Sequence, residues 1–142
     1  MQVMPGTAKL LSKRHSFSYT GHQQLMQAED NIQFGTAYLR DLLDRFGNNE
    51  VLVSGAYNAG PHVVDRWLAE RKTEDPAIWV ETLPYYETRD YIPRVLAFST
   101  IYDWRLQNNV SRVSARMPAF DAASPESAQT GQSAEVVCRT PI

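Results

Sequence analysis

Ser54-Gly55-Ala56-Tyr57-Asn58-Ala59-Gly60-Pro61 is the stretch on which the reading of this chain turns. Small and apolar residues from Val51 to Ala59 follow a helical pattern. Gly60-Pro61 then stops that helix and opens another, because proline suits a first helical turn. Two helices therefore meet at a tight corner, with an aromatic ring and an amide side by side at the break. Such a pair can offer a ring face and a two-ended hydrogen-bonding group to one ligand. A sugar uses both, since a pyranose has apolar faces for stacking and hydroxyl or acetamido groups for polar contact. A helix end with a buried tyrosine is the other reading that spacing alone leaves open.

The same periodicity extends to either side. From Asp30, the residues Ile32, Gly35, Leu39, Leu42, Leu43 and Phe46 recur at intervals of three and four, and Gly47 supplies a C-cap. After Pro61, Val63, Val64, Trp67 and Leu68 form an apolar stripe. Asp75-Pro76 predicts an N-cap and the first position of a short helix through Val80, closed by Leu83-Pro84. A last helix is expected from about Glu87 to Leu106, with Tyr91, Val95, Phe98, Ile101, Tyr102 and Leu106 at helical spacing and Pro93 near enough to its start to be tolerated. Nothing alternates with period two, so the expectation is all-α. Met1 to Leu11 places Pro5-Gly6 directly after apolar residues and reads as an internal stretch rather than a chain end.

From Gln107 the composition turns to Ser, Ala, Gln, Pro and Thr, too poor in large apolar groups to offset the entropy of ordering. The expected organisation is one domain over residues 1–106 and a low-complexity, mostly disordered tail over 107–142. With 14 basic and 16 acidic residues the formal net charge is -2, and no basic stripe points to nucleic acid. A single cysteine, Cys138, excludes an internal disulfide, and His15, His22 and His62 share no metal-ligand spacing with one another or with it. No metal and no cofactor are expected. No apolar run approaches the roughly 18 residues that span a bilayer, and no basic segment followed by an apolar core marks a signal peptide. A cytoplasmic monomer is expected of the chain as written.

Four segments together resemble the catalytic domain of the soluble lytic transglycosylases, bacterial enzymes that cleave peptidoglycan glycan strands. Ala56-Tyr57-Asn58-Ala59-Gly60 is similar to the family's AYNAG motif, and Met1-Gln2-Val3-Met4-Pro5-Gly6-Thr7-Ala8 to its Met-Gln and Met-Pro-Gly-Thr-Ala segment. Asn31-Ile32, Gly35 and Tyr38-Leu39 resemble its N-I-x-x-G-x-x-Y-L helix. Leu83-Pro84-Tyr85-Tyr86-Glu87-Thr88-Arg89-Asp90-Tyr91 resembles its P-x-x-E-T-R-x-Y element. The resemblance covers residues 1 to about 106, in the family's order, and implies a partial lysozyme-like helical domain and a full-length periplasmic enzyme.

By position, the resemblance implies a saccharide-binding set of Gln2, Met4, Ala56, Tyr57, Asn58, Glu87 and Tyr91, with peptidoglycan glycan strands as partner. It implies no catalytic residue within the chain. In the family one glutamate of a Glu-Ser pair, upstream of the Met-Gln position, protonates the glycosidic oxygen and then acts as base while the sugar's 6-hydroxyl closes onto C1. That intramolecular attack replaces the second carboxylate of an ordinary glycosidase. The matching position would precede Met1, so the chain alone is expected to be inactive, with Glu87 only a supporting carboxylate. Arg89, two residues on, is expected to favour the charged form of Glu87, the wrong form for a general acid. Two rivals stay open: a non-catalytic glycan-binding module, and a helical relic with no sugar role.

Overall fold

A computed structural model describes residues 3–120 of the chain. Six α-helices appear, with no strand among the described residues: α1 Pro5–His15, α2 Ala28–Arg45, α3 Glu50–Ala59, α4 Pro61–Glu70, α5 Pro76–Glu81 and α6 Tyr86–Arg105. Short 3₁₀ turns occupy His22–Met26 and Val113–Arg116.

The ends of these helices follow from local chemistry. Asn49 caps α3, its Oδ1 accepting from the backbone N–H groups of Val51 and Leu52 at 3.1 and 3.2 Å. Asp75 caps α5 in the same way through Ala77 and Ile78, with Pro76 at the first helical position. The corner between α3 and α4 depends on Gly60, whose φ of +99° is strained for any residue with a Cβ.

α3 is the centre of the fold and packs on α2, α4 and α6. It is short, and its residues from Val51 to Ala56 are all buried. Gly55 brings α6 close: a Cβ there would already touch Ile92 Cδ1 at 3.4 Å and Val64 Cγ2 at 3.5 Å. Around α3 lies the main core, built on Leu42, Val51, Val53, Val64, Trp67, Trp79, Leu83, Ile92 and Leu96. Trp67 and Trp79 meet edge to face, with ring centroids 6.3 Å apart. A second, smaller core holds Val3, Ala8, Leu11, Leu25 and Phe34 between α1, the first 3₁₀ turn and α2. Tyr38 packs against both.

Three features were not legible in the helical patterns. α1 had no apolar period to announce it; it starts at Pro5 and buries only Ala8 and Leu11. The buried face of α6 is Thr88, Ile92 and Leu96, while Phe98, Ile101, Tyr102 and Leu106 of the expected stripe are exposed. The helix carries apolar residues on two faces, so spacing alone could not choose between them. The tail expected from 107 begins instead with a packed return. Val113, Met117 and Phe120 lie on the main core, and the Phe120 ring meets Trp79 edge to face at 5.4 Å. Arg116 Nη1 donates to both oxygens of Glu50 at 2.9 Å, and its Nη2 pairs with Asp103. Three well-placed apolar groups and one arginine fix a segment whose average composition suggests otherwise. Residues 121–142 of the expected tail, with Cys138, lie outside the described residues.

Candidate functional site

The corner at Gly60 faces the start of α1 across a cleft of about 210 Å³, lined by Val3, Met4, Thr7, Tyr38, Tyr57, Asn58, Ala59 and Gly60. It lies along the seam between the two cores. α1 and the two residues before it supply one wall, the end of α3 supplies the other, and Tyr38 from α2 joins them. A wider depression of about 500 Å³ between the start of α5 and the returning segment is lined by Glu74, Asp75 and Met117 among others. It offers no aromatic face, and the Oδ1 of Asp75 is already engaged as the cap of α5. The smaller cleft therefore has the better chemistry.

Two tyrosines line the cleft, and a third, Tyr91, lies close to Tyr57. The rings of Tyr38 and Tyr57 lie 5.5 Å apart at 43°. Burial raises the Tyr57 phenol above its ordinary value, and the neighbouring Tyr91 and Tyr38 add to the effect. Burial likewise raises Tyr91. It raises Tyr38 too, where Arg45 opposes the shift and Asp41 adds to it. The Tyr57 hydroxyl is buried without a hydrogen-bond partner among the described residues. Such an orphan ordinarily costs about 1–3 kcal/mol.

Asn58 supplies the polar edge. Its Nδ2 donates to Glu87 Oε1 at 3.1 Å, and its Oδ1 accepts from the Thr88 hydroxyl at 2.6 Å. The start of α6 is thereby tied to the end of α3. Glu87 itself is exposed. Arg89 does not pair with it: the Arg89 Nη1 donates to the Glu81 carbonyl at 3.3 Å, and its guanidinium lies over the Tyr86 ring, 5.4 Å from the centroid.

Of the residues expected at the site, Met4, Tyr57 and Asn58 line the cleft, and Glu87 reaches it through Asn58. Met4 is 65% exposed, a large apolar side chain left open beside polar groups. Tyr91 is half-buried and acts on Tyr57 electrostatically, but does not line the cleft. Ala56 does not line the cleft: it is wholly buried in the main core, and its carbonyl accepts from the Gly60 N–H at 2.9 Å. Gln2 lies outside the described residues. Tyr38, Thr7 and Thr88 were not singled out from sequence, although each stands inside a motif quoted above. An aromatic at the end of the N-I-x-x-G-x-x-Y-L pattern was the available signal.

Comparison with known proteins identifies the family of the chain. The family described as the transglycosylase SLT domain matches residues 1–80. The soluble lytic murein transglycosylase of Salmonella typhimurium (strain LT2) is 44% identical over 104 residues, which is 72% of this chain and 16% of that protein. The solved structure of an inactive Glu-to-Gln mutant of the lytic transglycosylase Slt from Pseudomonas aeruginosa superposes with a TM-score of 0.75 at 38% identity. It covers 87% of this chain and 20% of its own. A 70-kDa soluble lytic transglycosylase solved in complex with bulgecin A gives a TM-score of 0.73 at 36% identity, over 84% of this chain and 20% of its own. The chain thus spans about a fifth or less of the length of these relatives. The all-α, lysozyme-like architecture expected from the motifs is the one found, and the chain belongs to the transglycosylase SLT domain family.

Proposed function

We propose that this chain forms the glycan-holding wall of a peptidoglycan lytic transglycosylase, and that the general acid comes from a glutamate outside these 142 residues. The observation that carries the reading is the seam cleft itself. Aromatic rings and Met4 offer apolar contact next to Asn58 and Glu87, the donor and acceptor that a sugar's polar edge requires. In the full enzyme the substrate would be the bond between N-acetylmuramic acid and N-acetylglucosamine. The acid would protonate its oxygen, then take the proton of the sugar's 6-hydroxyl as that oxygen closes onto C1, leaving a 1,6-anhydro end.

Glu87 is ill suited to the acid role. A general acid working near neutral pH needs apolar surroundings that favour its protonated form, and Glu87 is exposed with one oxygen held by Asn58. That a Glu-to-Gln change gave the inactive Pseudomonas aeruginosa mutant supports the dependence of such enzymes on one glutamate. A full-length protein of this kind would act in the periplasm. No helix among the described residues is long and apolar enough to cross a membrane.

Mass spectrometry of purified sacculi incubated with the 142-residue chain tests the proposal. Binding to sacculi without release of 1,6-anhydro muropeptides is the expected result, with binding lost in Tyr57→Ala. Release that disappears in Glu87→Gln would make Glu87 the acid and overturn the proposal. Folded chain that binds no saccharide would favour the relic reading.

A further inference from the structure

We infer that Thr88 is a positioning residue that locks the Asn58 amide in one orientation, leaving a single unused N–H as the cleft's donor. The cleft then selects a sugar group that accepts a hydrogen bond, the carbonyl of an N-acetyl substituent. The ligand half of this inference rests on the glycan reading above; the positioning half does not.

The amide orientation follows from its two neighbours. A carboxylate oxygen can only accept, so the atom 3.1 Å from Glu87 Oε1 is the nitrogen. The atom facing Thr88 Oγ1 is then Oδ1, and the 2.6 Å separation agrees. That length is ordinary for O–H···O but short for N–H···O. The Thr88 hydroxyl has one proton, and Asn58 receives it.

Thr88 differs from three other threonines in or at the ends of helices. Thr36, Thr82 and Thr100 each turn the hydroxyl back on a carbonyl four residues earlier, at Ile32, Ile78 and Leu96. Thr88 instead reaches from α6 to α3. It is also 1% exposed, so the hydroxyl sits in the core as a fixed strut rather than a surface rotor. Asn58 Nδ2 carries two hydrogens and spends one on Glu87. The second takes no protein partner among the described residues, on a side chain that lines the cleft. A freely turning amide would present donor or acceptor equally; a locked one presents a donor. Beside it, the remaining lone pairs of Glu87 accept, as a sugar hydroxyl next to an acetamido carbonyl would require.

The first test needs no ligand. In the ¹⁵N-labelled chain, with Asn58 identified by signal loss in Asn58→Asp, the two side-chain amide hydrogens should be well separated. Thr88→Val should bring them together toward the free-amide position, and Thr88→Ser should keep them apart; Thr88→Ala serves if valine does not fold. An amide pair unmoved in the hydroxyl-free variants would overturn the positioning role. Chitotriose is then titrated, followed by its fully deacetylated counterpart. Wild type should bind chitotriose through the unused Asn58 N–H, Thr88→Val about tenfold more weakly and Thr88→Ser about as well as wild type, as loss of one oriented hydrogen bond predicts. Equal binding of the deacetylated trimer would overturn the acetyl-carbonyl assignment. Failure of wild type to bind chitotriose while Thr88→Val still moves the amide would overturn the glycan reading and leave the positioning role standing.

Discussion

The two cores of this domain are unequal, and the cleft lies where they meet. The main core surrounds α3 and contains two buried tryptophans, with edge-to-face ring contacts reaching from Trp67 to Trp79 and on to Phe120. The smaller core has five buried residues, and only Phe34 among them is aromatic. Its outer support comes from the half-buried rings of Phe17 and Tyr19, packed edge to face on Phe34 at 5.5 and 5.9 Å. Ligand-facing residues need rigid backing on one side and room on the other. The large core fixes Tyr57 and Asn58, whereas the small one carries Met4 and Thr7, the wall more easily displaced. The difference predicts an ordering of local stability: α1 and the first 3₁₀ turn should open before α3 and α6 do.

The largest expected effect breaks the larger side of this comparison. Trp79→Ala should cost about 3–5 kcal/mol, the usual result of emptying a buried aromatic site, and urea unfolding should show loss of the whole fold. Phe34→Ala removes an equally buried ring, but from the smaller core. Hydrogen exchange should then show faster exchange in α1 and at the start of α2, with protection retained in α3 and α6. Uniform loss of protection in Phe34→Ala would mean that the two cores unfold as one unit.

Next in size is the clasp formed by the returning segment. The Arg116 side chain is 13% exposed and is held by Glu50 at the start of α3 and Asp103 near the end of α6. Arg116→Ala should lower stability by about 2 kcal/mol, within the range for hydrogen bonds to charged groups, and should open residues 107–112 to proteolysis. An unchanged cleavage pattern would show that Val113, Met117 and Phe120 hold the segment without the arginine.

That segment also marks the limit of what the sequence made legible. Helices α2 to α6 could be read because proline, glycine and capping residues stand at their ends, as Asp75-Pro76 and Gly60-Pro61 illustrate. The cleft was legible in part: Tyr57, Asn58 and Glu87 were marked by the motifs, but nothing local connects Asn58 to Thr88, thirty positions away. The packing of residues 107–120 was not legible because composition averages over a window, whereas the return here depends on three apolar contacts and one arginine. Burial is just as hidden in a motif: Ala56 lies inside the most telling one, but it is buried in the main core.

The smallest effect concerns the cleft alone and separates holding the fold from holding a ligand. Tyr57→Phe removes a buried hydroxyl that has no partner among the described residues, so the domain should keep or gain stability, by about 1 kcal/mol. Saccharide binding should be little changed, because so deeply buried a hydroxyl faces no ligand. Alkaline pH provides the control. The phenols of Tyr38, Tyr57 and Tyr91 are raised above 10.0 in the fold, while the unfolded chain titrates near 10. Above that value the unfolded chain releases protons that the fold still holds. Their contribution to stability is therefore complete below about pH 10 and is lost as pH rises through the folded values. Chemical denaturation from pH 8 to 11 should show a shallower decline for Tyr57→Phe than for wild type. Parallel curves would mean that Tyr57 titrates alike in the folded and unfolded states, and that its burial does not hold the proton on the phenol.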